Sequence, residues 1–144
     1  MLFMSLLGFG AGGKGGANIQ SFYDTVVQSQ QCLDAVADDV YTCWYDAIFG
    51  KKYSGDIDVA IETAISNNSE NLNIIETNDE IIKSLYKKVK KSNFATEVKA
   101  VMSAYSDYYE FVVNVSGSFR SYSSELETFK KQLASALKDL QLEM

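Results

Sequence analysis

Nineteen carboxylates, two cysteines and no histidine make up the chemical stock of this 144-residue chain. Without histidine, the commonest general base and metal ligand is missing. Ser-His and Cys-His nucleophile pairs are excluded for the same reason, as is the Glu-x-x-His pattern of di-iron helical bundles. Cys32 and Cys43 lie eleven residues apart, about 16 Å along a helix at 1.5 Å per residue. A disulfide tolerates only about 7 Å between Cα atoms, so both read as small apolar residues near a helix seam rather than a redox pair. Carboxylate neighbours such as Asp38 with Asp39, and Glu125 with Glu127, point to different helix faces. The run Gly10-Ala-Gly-Gly-Lys14-Gly-Gly has no strand before it and no Ser or Thr after its Lys, as a phosphate-binding loop requires. The expectation is a non-enzymatic protein with no catalytic residue, cofactor or metal.

Two groups of side chains could act in binding. Lys83, Lys87, Lys88, Lys90 and Lys91 could touch an anionic surface, or could simply complement the negative end of a helix dipole. Tyr105, Tyr108, Tyr109 and Phe111, with Trp44 and Tyr45, could form an aromatic interface, or could in part be core. The net charge of −6 argues against a general nucleic-acid partner, which needs clustered Lys and Arg. Asp24, Asp34, Asp38, Asp39 and Asp46 form a strongly acidic face, solvated or turned toward the lysines.

These groups have to be positioned by helices. Zero Pro and 47% apolar residues suit long helices around a core, in a chain of one-domain size. The longest pattern runs Phe94, Val98, Val101, Tyr105, Tyr108, Val112, Val115, Phe119, Tyr122, Leu126, Phe129, Leu133, Ala136, Leu140, in steps alternating four and three. That spacing predicts one helix over about 93–142, passing through Ser116-Gly117-Ser118 with at most a soft point. A first helix is expected over about 18–49, capped by Asn18 and ended by Gly50. A second is expected over about 56–91, capped by Asp56 or Ser54, and kinked or broken near Asn67–Asn73 and near Thr77-Asn78-Asp79-Glu80, which spells a capping box. The fold class is then all-α: an elongated antiparallel bundle of three long helices running up, down and up. The third outreaches the first, so Phe129, Leu133, Leu137 and Leu140 are expected to be an oligomer interface.

Residues 1–17 stand apart as an apolar, Gly-rich leader in front of a bundle domain at 18–144. Leu2, Phe3, Leu6, Leu7 and Phe9 are too few to cross a bilayer, which takes about 20 residues. No positive charge precedes them, as a secretory signal would require. They could be a disordered start, or could contact a neighbouring subunit or a membrane surface. Met-Leu-Phe-Met-Ser-Leu-Leu-Gly-Phe-Gly-Ala-Gly-Gly-Lys-Gly-Gly followed by Pro-poor helices resembles the openings of internal, ejection or tail-associated virion proteins of bacterial and archaeal viruses. The resemblance covers about 17 residues, has no diagnostic motif and carries over no site residue. It implies a structural subunit of a multi-copy particle, with itself or other structural subunits as partners. Two alternatives from other classes are a helical interaction or secretion-linked module and a membrane-perturbing protein that uses the leader with the lysines.

Overall fold

Apolar residues at heptad spacing need facing helices. In the computed structural model, which describes residues 16–144, they find them inside the chain. Five helices form among the described residues, with no strand: α1 Gly16–Phe49, α2 Ile57–Asn67, α3 Ser69–Val89, α4 Ala95–Val113 and α5 Phe119–Glu143. The chain runs up through α1, down through α2 and α3 as one broken arm, up through α4 and down through α5. Packing is closest between α1 and α3, and between α4 and α5. The core is continuous across the arms: Phe22, Val26, Leu33 and Val40 from α1, Ile75 and Ile82 from α3, Tyr105 and Tyr108 from α4, and Tyr122, Leu133 and Leu140 from α5.

Three contacts fix the register of the first two arms. The Phe22 and Tyr86 rings lie 6.4 Å apart. Asn78 Nδ2 donates to Gln28 Oε1 at 2.8 Å, and Asn68 Nδ2 donates to Asp39 Oδ2 at 2.7 Å. As one number falls the other rises in step, so the arms are antiparallel. Continued outward, this register sets Gly16 level with Lys90 and Lys91.

Several termini match the sequence signals. α1 stops at Phe49, where the Gly50 N–H donates to the Asp46 carbonyl at 2.9 Å. Asp56 caps α2, its Oδ1 accepting from the Val59 N–H at 3.2 Å. Both cysteines are buried and free. The second arm breaks at Asn68, inside the Asn-rich stretch. The Asn68 amide bonds the Ala64 carbonyl at 2.8 Å as well as Asp39, so it closes α2 while tying the break to α1.

Other expectations are corrected. The helix expected over 93–142 is two helices folded into a hairpin. Gly117 has φ +81°, and Ser118 opens α5 with a reciprocal capping box to Ser121. The four-and-three spacing survives the turn because each half separately needs it to face the core, so unbroken phase does not prove unbroken helix. Folding the hairpin removes the overhang: Leu133, Leu137 and Leu140 are buried by the chain's own helices, and Phe129 packs against the core at 5.1 Å from the Phe111 ring. The surplus length that nominated these four as an oligomer interface does not exist. Thr77–Glu80 is not a helix start, because α3 runs through it with Asn78 and Asp79 buried and hydrogen-bonded across the bundle. Asn18 lies within α1 instead of preceding it. Ser92 supports the start of α4, its Oγ accepting from the Phe94 N–H at 3.2 Å.

Candidate interaction surface

The aromatic residues singled out from sequence separate into two populations. Tyr105 and Tyr108 are fully buried on the inner face of α4, and each hydroxyl donates to a carboxylate. Tyr105 reaches Asp79 of α3 at 2.5 Å, and Tyr108 reaches Asp34 of α1 at 2.5 Å. Burial, then the partner carboxylate, raises both phenols far above their ordinary range, so they remain neutral donors. Asp79 also takes an ion pair from Lys83 at 2.8 Å, a bond that raises the Lys83 ammonium. Burial raises the Asp34 carboxyl against the opposing pull of Tyr108 and Lys130. These pairs satisfy buried polar groups and pin α4 to both neighbouring arms.

The acidic face of α1 is spent in the same manner. Asp34 meets Tyr108, Asp39 meets Asn68, and Asp38 takes Lys130 of α5 at 2.6 Å. Asp46 pairs with Lys52 at 3.7 Å. These four pair elsewhere and away from the lysines that end α3, while Asp24, the fifth, accepts from Gln20 Nε2 at 3.0 Å and lies toward the lysine end in this register.

A second population lies at the far end of α1. Phe49 is 62% exposed, Tyr45 45% and Ile48 41%. The two rings pack tilted against each other and against Phe119 at the start of α5: Tyr45 to Phe49 at 4.7 Å, Tyr45 to Phe119 at 6.2 Å, and Phe49 edge-on to Phe119 at 6.3 Å. Beneath them, Trp44 and Tyr122 are buried in contact at 5.4 Å. Phe49 and Phe119 border a shallow groove of about 680 Å³ that also takes in Arg120, Ser123, Glu127 and Thr128. Arg120 is the chain's single Arg. Exposed aromatic residues beside Arg are what protein interfaces are enriched in.

The adjoining turn holds its backbone under strain. Lys51, Tyr53 and Ser54 all have φ between 54° and 59°, where a side chain costs about 1–2 kcal/mol per residue. Gly55 at φ +75° takes that region freely. The turn is tied to α1 by the Tyr53 hydroxyl, 3.4 Å from Cys43 Sγ. Strain concentrated next to an exposed apolar surface motivates a functional reading of that end.

Lys83, Lys87, Lys88, Lys90 and Lys91 are all exposed, at and just beyond the C-terminus of α3. Leu2, Phe3, Leu6, Leu7 and Phe9 lie outside the described residues. Among the described residues no helix is long and apolar enough to cross a membrane, and no three acidic or thiol side chains are grouped to hold a metal ion. In comparisons with family models, characterised proteins and solved structures, nothing matches this chain.

Sequence reasoning missed Phe49, Phe119 and Arg120. The heptad spacing places Phe119 in mid-helix. The signal that could have found it is Ser118-x-x-Ser121 directly after Gly117, an N-cap following a residue suited to a left-handed turn.

Proposed function

We propose that this chain is a structural subunit that joins a multi-copy assembly through the aromatic end of its bundle. The observation that carries the reading is the exposed pair Tyr45 and Phe49, packed against the half-buried Phe119 beside Arg120. Each large apolar side chain taken from water contributes about 1.5–3 kcal/mol, so covering these rings favours association. The chemistry of the surface suits another copy of the chain or a fellow structural subunit. The leader's resemblance to virion proteins supports a virus particle as the setting. This end replaces the distal part of α5 as the assembly surface, since Leu133, Leu137 and Leu140 are already covered within the chain.

Light scattering on the full chain tests the reading. Wild type is expected to form a species larger than one chain as concentration rises. Tyr45→Ser with Phe49→Ser is expected to return it to a single-chain mass with unchanged helical circular dichroism. A wild type that stays monomeric, or a double variant that keeps the larger mass, removes the proposal.

A further inference from the structure

Helix α5 carries exposed apolar surface at both of its ends. It starts at the groove bordered by Phe49, Phe119 and Arg120, and its last turn leaves Leu142 71% exposed and Met144 44% exposed. The contacts of Phe49 with Phe119 and of Asp38 with Lys130 set α5 antiparallel to α1. Leu142 and Met144 therefore lie at the opposite end of the bundle from the groove. Phe119 and Leu142 are separated by roughly 35 Å at 1.5 Å per residue. The end of α5 cannot reach the groove of its own chain.

Charge is divided in the same direction. The register places every charged side chain among the described residues in one of two halves, which meet near Leu33 of α1. The half that carries Phe49 holds eleven acids and five bases, with Asp56, Asp58 and Glu62 exposed at its tip. The other half is close to neutral, with eight acids and seven lysines. There, Asp139 and Glu143 of α5 and Glu97 of α4 offset part of the cluster Lys87, Lys88, Lys90 and Lys91. Two copies meeting groove to groove would set acid against acid. A copy that presents its near-neutral, lysine-bearing end to the groove of another avoids that repulsion.

We infer that copies of this chain join head to tail, with Leu142 and Met144 of one copy entering the groove bordered by Phe49 and Phe119 of the next. The local charges match as the overall ones do. Glu143, between the two apolar residues, meets Arg120 of the groove. Glu127 lies in the same groove two turns beyond Arg120, and the incoming helix offers Lys138 one turn before Leu142. Such a contact joins two different patches, so it repeats from copy to copy. It closes a ring or extends a filament, whereas a groove-to-groove contact stops at two chains. The inference rests on the assembly reading and names the patch that fills its surface.

Sedimentation velocity on the full chain and its variants tests it. Wild type is expected to populate species beyond two chains as concentration rises. A tail variant, Leu142→Ser with Met144→Ser, should weaken association by about tenfold or more with unchanged helical circular dichroism. The groove variant, Tyr45→Ser with Phe49→Ser, should do the same. Mixed together, the two are expected to form a species of two chains and nothing larger, since one supplies an intact groove and the other an intact α5 end. That recovery also shows that both are folded. Arg120→Glu and Glu143→Arg should each weaken assembly, and should restore it when combined in one chain. A tail variant with wild-type mass, a mixture that stays at one chain, a charge swap without recovery, or a wild type that stops at two chains would overturn the inference. If assembly is lost in the groove variant but kept in the tail variant, the assembly reading stands and only the head-to-tail arrangement falls. A wild type that never exceeds one chain removes both.

Discussion

The Tyr108 hydroxyl donates to the Asp34 carboxylate at 2.5 Å, across a separation of 74 residues. With the matching bond from Tyr105 to Asp79, it holds α4 to α1 and α3 by polar contacts that apolar packing alone would not orient. A bond of this kind is costly to break from one side, because the remaining partner stays desolvated. Tyr108→Phe is therefore expected to lower stability by about 1–3 kcal/mol, measured as a shift in denaturant midpoint at unchanged slope. Asp34→Asn keeps an acceptor for the hydroxyl and should cost less. If Tyr108→Phe is neutral, the bond does not orient the bundle.

Asp34 also sets a pH dependence. Burial raises its carboxyl above the ordinary 3.8, so the folded state holds the proton more tightly than the unfolded chain. Its contribution to stability is then full below the unfolded value and is lost as pH rises through the folded one. Relative to wild type, Asp34→Asn should gain stability between about pH 4 and about pH 7. Paired denaturation curves at the two pH values check this. A difference that stays constant across the range would show that the carboxyl is not held up by burial.

Gly117 distinguishes a turn from a continuous helix by the sign of one substitution. In an exposed helix interior, Gly→Ala stabilises by about 1 kcal/mol. Here φ is +81°, and an added Cβ would lie 2.8 Å from Ser121 Oγ, the atom that closes the capping box. Gly117→Ala is therefore expected to destabilise by about 1–2 kcal/mol. A rise in thermal midpoint would restore the single long helix.

Leu133 and Leu140 are fully buried within the chain. Leu133→Asp with Leu140→Asp should unfold the monomer, since each change removes about 2–5 kcal/mol of packing and buries a charge besides. Loss of helical circular dichroism is the expected result. A folded double variant with reduced mass in solution would reinstate these residues as an interface between chains.

The thiols supply a readout of core integrity. Cys32 and Cys43 are buried, and burial raises the Cys32 thiol. Both should resist alkylation in buffer and react fully in denaturant, as mass spectrometry would detect. Rapid labelling of the native protein would mean that α1 opens.

The sequence by itself determined the all-helical class, the apolar stripes of α4 and α5, the end of α1 at Gly50, a cap at Asp56 or Ser54 and the separation of the cysteines. Those features follow from local chemistry: side-chain spacing along a helix, the absence of Pro, and caps that act within one turn. Tertiary structure decided what local chemistry leaves degenerate. Heptad spacing reads the same whether a helix continues at Gly117 or folds back, so only the packing of α4 on α5 reveals that Leu133 and Leu140 face the chain's own core. Asp34, Asp79 and Asn78 read as exposed polar residues until Tyr108, Tyr105 and Gln28 arrive opposite them from distant parts of the chain. The same holds for the two candidate surfaces. Phe49 meets Phe119, and Leu142 comes to lie at the opposite end from them, only because the arms are antiparallel in one register. That register is set by contacts between helices, which no single helix's sequence encodes.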